Sequence, residues 1–183
     1  MSILLKNGSL KGEKNVDILI ENDKISKVAP ANSLKDDKAE VIDLTGLIIL
    51  PGLVDLHTHL REPGREDAET VATGSAAAAR GGFTAVHAMA NTLPVADTAG
   101  VVEQVWNLGK SIGLVDVYPV GAVTIGLKGE NLAELSAMAD STARVRIFSD
   151  DGHCVSDPVL MRRALEYVKA FNGVIAQHAQ EPR

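Results

Sequence analysis

Cysteine is almost absent from this sequence, and its scarcity limits the class of protein. Cys154 is the one cysteine among 183 residues, so an internal disulfide cannot form and a disulfide-stapled secreted domain is excluded. The first fifteen residues, MSILLKNGSLKGEKN, carry charged residues and no long apolar core, unlike a secretory signal peptide. These features predict a protein of the reducing cytoplasm.

Basic residues and long apolar runs are also scarce. The 18 Lys and Arg residues are outnumbered by 24 Asp and Glu residues, which gives a formal net charge of −6. Because phosphate contacts need a basic surface and no Lys/Arg cluster occurs, we expect no nucleic-acid partner. No apolar run reaches the roughly 18 residues that a membrane span requires, so we expect no membrane association. Aromatic residues make up only 3% of the chain, whereas small and aliphatic residues are plentiful, as is typical of α/β proteins.

Short apolar segments broken by turn residues fill the first 51 residues. Gly, Asn and Asp interrupt them, as expected for strands joined by tight turns. Asn22 and Asp23 predict a hairpin turn. The sequence therefore predicts a small β module, residues 1–51, with strands in SILLKNG, VDILIEN, KISKVAP and AEVIDLTGLIILPG.

A different rhythm begins at residue 52, where apolar strands alternate with helical segments. The strands are predicted at 53–59, 83–90, 115–123, 143–150 and 173–179. The helices are predicted at 66–80, about 98–112, about 131–139 and 156–171. Gly81 and Gly82 end the first helix, and Pro158 is favourable in the first turn of the last. Alternation of this kind predicts a parallel sheet covered by helices.

Both a doubly wound sheet and a (β/α) barrel accommodate this order of elements. A complete barrel typically takes about 250 residues, and roughly half that number follow Pro51. If the fold is a (β/α)8 barrel, residues 52–183 contain its first half, incomplete at the C-terminus.

His57 and His59 close the first predicted strand of this second part. Because they are two positions apart on a strand, their side chains point to the same face. They also stand at the carboxyl end of the strand, where α/β folds place their sites. Two imidazoles so placed can bind one metal ion, although a bare H-x-H pair is more often two hydrogen-bonded residues at a strand end. The pair alone leaves both interpretations open.

Polar residues at other strand ends favour the metal interpretation. Asn91 follows the second strand, Asp150 and Asp151 follow the fourth, and His178 lies near the end of the fifth. In a barrel these ends surround a single cavity. Histidines and a carboxylate form a nitrogen and oxygen donor set suited to zinc. With no cysteine ligand in place, an open catalytic site is favoured over a closed structural one.

Three motifs resemble those of a known family. PGLVDLHTHLREPG (51–64), GGFTAVHAMANTLPV (81–95) and FSDDG (148–152) followed by AQHAQE (176–181) resemble the dihydroorotases of the amidohydrolase superfamily, most of all the bacterial type I enzymes. The similarity extends over essentially the whole chain. It implies a (β/α)8 barrel of the TIM type, with a small N-terminal β module that joins C-terminal strands in a composite β-sandwich.

The resemblance implies a metal centre with one or two zinc ions. Many relatives, including hydantoinases, place a carboxylated lysine where Asp151 stands, and the absence of a lysine at this strand end favours a type I dihydroorotase. The residues that match the family's metal ligands are His57, His59, Asp151 and His178.

The resemblance also assigns substrate-binding residues. Arg61 matches the arginine that binds the substrate carboxylate, and a guanidinium suits this role because it binds a carboxylate bidentately. Asn91 matches the asparagine that helps to hold the same carboxylate. Asp150 is expected to turn the backbone or to support the site, and His87 to be a packed core residue.

The sequence departs from the family pattern in two respects. Ala90 stands where the family commonly has a proline. The remaining metal histidine, and the aspartate that serves as ligand and general base, come from later strands and are expected beyond Arg183. We therefore expect no catalytic base within the chain and no activity from the 183 residues alone.

The full-length enzyme implied by the resemblance interconverts N-carbamoyl-L-aspartate and dihydroorotate in pyrimidine biosynthesis. Two alternatives stay open: a non-catalytic dihydroorotase-like partner of aspartate transcarbamoylase, and another cyclic-amide hydrolase such as a hydantoinase or allantoinase. The retained metal ligands argue against the first, and Arg61 and Asn91 argue against the second. A small-molecule substrate is the expected partner, and a homodimer or an association with aspartate transcarbamoylase is left open.

Overall fold

The computed structural model describes residues 2–180, and the chain divides into two compact units after Pro51. The first unit corresponds to residues 1–51 and the second to residues 52–183. Strands dominate the first, and the second mixes strands with helices. Among the described residues, no helix is long and apolar enough to cross a membrane.

Five strands form the sheet of the first unit. β1 (Ser2–Leu10) pairs antiparallel with β2 (Lys14–Glu21), which pairs antiparallel with β3 (Lys24–Pro30). The segment predicted as a single last strand forms two short ones, β4 (Glu40–Asp43) and β5 (Ile48–Ile49), and both pair parallel with β1. They are separate because the residues between them turn, with φ of 81° at Gly46.

A two-residue turn joins β2 to β3, as predicted. Glu21 pairs with Lys24, and Asn22 and Asp23 between them have φ of 50° and 61°. Two consecutive left-handed residues match the right-handed twist of the flanking strands. Asparagine and aspartate tolerate this conformation better than most residues with a side chain.

A buried carboxylate links β2 to the segments on either side of it. Asp17 on β2 is fully buried, and its two oxygens accept hydrogen bonds from the backbone N–H groups of Asn7 and Leu34, both at 3.1 Å. Burial raises the pKa of Asp17, but the backbone donors outweigh burial and hold the pKa below its ordinary value of 3.8. The ionised form of Asp17 is therefore stabilised in the folded unit.

Replacing Asp17 by alanine is expected to destabilise the first unit by about 2–6 kcal/mol, because two buried N–H groups lose their acceptor. Since the folded-state pKa of Asp17 is lowered, its contribution is present above the ordinary pKa and is lost as the pH falls through the folded value. The stability of the Asp17→Ala variant should lack this dependence on acidic pH. Hydrogen exchange of the Asn7 and Leu34 amides in the full-length protein, corrected for the intrinsic effect of pH, measures both effects. Exposed Asp37 offers the matched control, and equal protection in Asp17→Ala and Asp37→Ala would contradict this account.

Strands and helices alternate through the second unit, as the sequence predicts. The strands are β6 (Leu53–Thr58), β7 (Phe83–Ala88), β8 (Asp116–Pro119), β9 (Ile147–Phe148) and β10 (Val174–Ile175). The helices are α1 (Val71–Arg80), α2 (Ala99–Ile112), α3 (Leu135–Asp140) and α4 (Pro158–Val168). Short 3-10 helices lie at Ile125–Leu127 and Lys169–Phe171.

Several predicted boundaries were wrong. β8 ends at Pro119 rather than at residue 123, β10 ends at Ile175 rather than at residue 179, and α3 begins at Leu135 rather than near residue 131. β9 does not begin at residue 143, because Arg144 has φ of 51° and its N–H bonds back to Ser141 in a turn. α1 begins at Val71 rather than at residue 66, because Thr70 caps the helix: Thr70 Oγ1 accepts from Thr73 N at 3.1 Å, and Thr73 Oγ1 accepts from Thr70 N at 3.0 Å. A reciprocal cap of this kind satisfies backbone N–H groups that a helix end leaves free.

All strands of the second unit run parallel and follow the order of the chain. β6, β7 and β8 form one sheet in that order, and β9 pairs with β10. Gly121, just after β8, forms a parallel bridge with Phe148 of β9, and Ser149 N donates to Gly121 O at 2.8 Å. The carboxyl ends of the strands therefore lie on the same side, which brings the residues that follow them together.

Apolar clusters under the helices hold these strands in place. A side chain at Gly109 of α2 would collide with Val117 of β8, so this glycine lets the helix lie close against the strand. Gly121 is similarly crowded, since a Cβ there would lie 2.9 Å from atoms of both Met138 and Phe148. The buried members of the two clusters include Val71, Val86, Val105 and Val117 in one, and Leu135, Met138, Phe148 and Val168 in the other.

Candidate metal centre

His57 and His59 lie side by side at the carboxyl end of β6. Their ring centroids are 5.2 Å apart with the rings nearly edge to face, consistent with side chains two residues apart on one face of a strand. Two hydrogen bonds hold the backbone at this end of β6. Asp55 Oδ1 accepts from His57 N at 3.0 Å, and Thr58 O accepts from Met89 N at 2.9 Å. β6 therefore presents two imidazoles toward the same space.

The carboxylate of Asp151, which follows β9, is the centre of the cluster. Its Oδ1 lies 3.2 Å from His57 Nε2 and 3.2 Å from His178 Nδ1, and its Oδ2 lies 3.4 Å from His59 Nε2. Asp151 is only 6% exposed, whereas the side chain of His57 is 54% exposed. A buried carboxylate is costly unless hydrogen-bond donors or a cation compensate it, so this arrangement favours positive charge at the centre.

Asn91, which follows β7, lies between two of these side chains. Its Nδ2 donates to Asp151 Oδ2 at 3.2 Å, and its Oδ1 lies 3.1 Å from His59 Nδ1. The residue predicted to hold a substrate carboxylate is thus in direct contact with two predicted metal ligands.

His178, which follows β10, contacts the same oxygen of Asp151 as His57 does. Its Nδ1 faces Asp151, and its Nε2 lies 2.9 Å from Gln180 Oε1. The sequence alone assigned no role to Gln180 or to Gln177. Gln177 Nε2 donates to Val155 O at 3.0 Å, which connects the segment after β10 to the loop after Asp151. The glutamines on either side of His178 were the only signal for these contacts.

Arg61 lies in the loop that follows His59. Its backbone has φ of 63°, and the same loop is joined to the segment after β7 by a hydrogen bond from Leu93 N to Pro63 O at 2.9 Å. Arg61 is half-buried, and no ion pair among residues 2–180 uses its guanidinium. Its charge is therefore not neutralised by a carboxylate of the described chain.

Three of the four predicted ligands come close enough to share one ion. One ligand atom from each of His57, His59 and Asp151 lies within 4.8 Å of the others, and His178 contacts this group through Asp151. Two imidazole nitrogens and a carboxylate oxygen are donors that divalent transition metals accept, and three protein ligands leave coordination positions open for water or substrate. The residues present thus fit a metal centre.

Asp150 points away from the cluster although it precedes Asp151 directly. It is 1% exposed, and its Oδ1 accepts from Val123 N at 2.8 Å and from Thr124 N at 3.0 Å, while Oδ2 accepts from the Thr124 hydroxyl. These bonds tie the segment after β8 to the end of β9, from which Asp151 projects. Support of this kind was predicted, but its partners were not, because they are 26 and 27 residues away in the sequence.

His87 and Cys154 lie outside the cluster. His87 stacks on Tyr118 with a centroid distance of 5.3 Å and places Nδ1 3.2 Å from Asp55 O, so it is packed and hydrogen-bonded as predicted, but it is half-buried rather than a core residue. Cys154 is half-buried, and Gln177 Nε2 lies 3.3 Å from its Sγ.

Comparison with known proteins gives several dihydroorotases at high identity. The chain is 62% identical over 180 residues to a dihydroorotase of Streptomyces coelicolor, covering 98% of this chain and 42% of that protein. It is 76% identical over 145 residues to a dihydroorotase of Leifsonia xyli subsp. xyli, covering 79% of this chain and 33% of that protein. The chain therefore spans about two fifths of the length of the S. coelicolor relative, and a smaller share of the second.

Solved structures show the same fold at much lower identity. An L-hydantoinase (dihydropyrimidinase) from Arthrobacter aurescens superposes with a TM-score of 0.75 at 22% identity, over 94% of this chain and 39% of that one. A family profile described as dihydro-orotase-like matches residues 46–182, which include every residue of the candidate metal centre. The chain therefore belongs to the dihydro-orotase-like family.

Proposed function

We propose that the protein to which these residues belong is a metal-dependent cyclic amidohydrolase, a dihydroorotase that interconverts N-carbamoyl-L-aspartate and dihydroorotate. The observation that carries this proposal is the meeting of His57, His59 and Asp151 at one set of strand ends. High identity to proteins named dihydroorotase supports the substrate.

The metal that suits this centre best is zinc, as one or two ions. Its ligands would be His57, His59, Asp151 and His178, a set of nitrogen and oxygen donors with positions left open, as in catalytic rather than structural zinc sites. The chemistry that such an ion supplies when bound is polarisation of the amide carbonyl and a lowered pKa of a bound water. The general base and a further metal histidine would come from the part of the protein beyond Arg183.

Arg61 and Asn91 would orient the substrate through its carboxylate. The guanidinium of Arg61 is two residues from a predicted ligand and forms no ion pair within residues 2–180, so its charge is available for an anionic ligand. A bidentate pair with a carboxylate restricts both partners to one geometry. Holding the substrate in this way supplies the advantage of proximity and orientation.

The second unit would be the first half of a (β/α)8 barrel, residues 52–183. Its five parallel strands follow chain order, and β6 leaves apolar side chains uncovered: Leu53, Val54 and Leu56 are 47%, 53% and 60% exposed. Later strands and helices of the protein would cover them. Residues 1–51 would likewise join C-terminal strands in a composite β-sandwich. A cytoplasmic location, and a homodimer or association with aspartate transcarbamoylase, are consistent with this proposal.

The decisive test is turnover by the full-length protein. We expect dihydroorotate hydrolysis that is lost on removing the metal with a chelator and restored by zinc, and no turnover by residues 1–183 alone.

Replacing Arg61 by alanine should raise KM for dihydroorotate by about 10- to 100-fold, because a charge-assisted interaction of about 1.5–3 kcal/mol is lost. Steady-state kinetics measures all three effects.

Arg65 provides the matched control for Arg61, since it lies in the same loop but is exposed and pairs with Asp67. Arg65→Ala should leave KM unchanged. Hydantoin and allantoin serve as competing substrates. Preference for either of these over dihydroorotate would reject the assigned substrate, and the absence of any metal-dependent turnover would favour a non-catalytic partner of aspartate transcarbamoylase.

A further inference from the structure

The side chain of Asn91 joins two predicted metal ligands that come from different strands. His59 follows β6 and Asp151 follows β9, and the amide of Asn91 contacts Nδ1 of the first at 3.1 Å and Oδ2 of the second at 3.2 Å. The substrate-binding role given to Asn91 above does not explain these contacts.

The chemistry of the three groups decides which way the Asn91 amide faces. A carboxylate oxygen only accepts hydrogen bonds, so the amide group next to Asp151 Oδ2 must be the NH2. The amide oxygen then faces His59 Nδ1. Because this oxygen also only accepts, Nδ1 of His59 must carry the proton. The tautomer of His59 thus follows from its neighbours without reference to any metal.

In the neutral imidazole, a proton on Nδ1 leaves Nε2 of His59 with a free electron pair. Nε2 lies 3.4 Å from Asp151 Oδ2, so in the neutral imidazole two electron-pair donors face one another. Two acceptors at this distance repel unless a cation lies between or beside them. The hydrogen bond at one ring nitrogen therefore prepares the other nitrogen to bind a metal ion.

The backbone around Asn91 is held firmly enough for the amide to act in this way. Ala90 is fully buried and Met89 is 3% exposed. Met89 N donates to Thr58 O at 2.9 Å, and Ala90 O accepts from Ala96 N at 3.0 Å. Asn91 is thus attached on one side to the end of β6, which contains His57 and directly precedes His59.

We propose that Asn91 is a positioning residue of the metal centre: its amide keeps the proton of His59 on Nδ1 and holds Asp151, so that His59 Nε2 and Asp151 Oδ2 face a common ion. This inference rests on the proposed metal centre and adds to it a role for Asn91 that is exercised before substrate binds. A role in substrate binding alone would leave the metal-free protein and its metal affinity unaffected by Asn91.

The experiment uses full-length protein carrying Asn91→Ala or Asn91→Leu, the second of which keeps the volume of the side chain but cannot hydrogen bond. In the metal-free protein, ¹⁵N NMR of labelled histidine should show His59 protonated at Nδ1 in the wild type, and a mixture of tautomers in both variants. The zinc dissociation constant, measured without substrate by competition with a chelator, should rise by about 10- to 100-fold, as expected for a lost partner of a ligating histidine.

Asn107→Ala is the control, since Asn107 is an exposed residue of α2; it should keep the wild-type tautomer and zinc affinity. An unchanged His59 tautomer and unchanged zinc affinity in both Asn91 variants would overturn the proposal. The NMR measurement needs neither metal nor substrate. A protein that failed to hydrolyse dihydroorotate but lost the Nδ1 proton signature on Asn91→Leu would refute the assigned substrate and still support the positioning role.

Discussion

Replacing Asp151 by asparagine is expected to abolish metal binding at the centre and to lower turnover of the full-length protein by about 10³-fold or more. The amide keeps the shape of the side chain but removes the negative charge that three imidazoles and the Asn91 amide surround. A bound metal is worth several kcal/mol of transition-state stabilisation, and about 4 kcal/mol corresponds to about 10³ in rate. Metal analysis of the purified variant and steady-state kinetics measure the two effects.

Asp140→Asn is the matched control for this variant. Asp140 ends α3 on the exposed surface, so the same chemical change there should leave metal content and turnover unchanged. Full metal occupancy and wild-type turnover in Asp151→Asn would show that this carboxylate is not a ligand.

Replacing Asp150 by alanine is expected to destabilise the second unit by about 3–9 kcal/mol, because three buried donors lose their acceptor. Its carboxylate is the acceptor for Val123 N, Thr124 N and the Thr124 hydroxyl in a buried place, and each buried donor left without a partner costs about 1–3 kcal/mol. Because these bonds hold the end of β9, metal affinity should fall as well. Hydrogen exchange of the Val123 and Thr124 amides reports the local effect, and chemical denaturation reports the free energy of unfolding.

Asp150→Asn separates the loss of charge from the loss of contact. The asparagine oxygen can still accept from the two backbone N–H groups, whereas the Thr124 hydroxyl loses its acceptor, so the expected destabilisation is smaller, about 1–3 kcal/mol. If Asp150→Ala were as stable as Asp140→Ala, the proposed anchoring of the segment after β8 would be wrong.

Local pattern was sufficient to predict much of this fold. Alternation of apolar strands and helices after Pro51 predicted the order of elements, because strand and helix periodicities differ and turn residues separate them. The turn at Asn22 and Asp23 was predicted from the chemistry of two residues. The start of α1 was predicted wrongly at residue 66. The reciprocal cap of Thr70 and Thr73 makes the helix begin at Val71, although the sequence pattern of the preceding residues favoured an earlier start. The start of β9 was missed because nothing local marks the left-handed conformation of Arg144.

The parts of the candidate site that depend on local pattern could be predicted from the sequence, whereas the parts that depend on tertiary contacts could not. His57 and His59 share a face because of the two-residue period of a strand, which the sequence states directly. Asp150 and Asp151 are adjacent and chemically identical, so only their surroundings separate an anchor from a predicted ligand. Asp150 accepts hydrogen bonds from the backbone N–H groups of residues 123 and 124, whereas Asp151 contacts three histidines and the Asn91 amide.

By itself, the sequence determined that polar, metal-binding residue types follow apolar strands, since composition and spacing are local properties of the chain. The tertiary structure decided which of them meet. Parallel strands in chain order bring residues 59, 91 and 151 to one place, although they are 32 and 60 residues apart. The direction of each hydrogen bond depends on that meeting, because donor and acceptor roles are settled only when groups from distant parts of the chain come within about 3 Å of each other. The tautomer of His59 is decided in the same way.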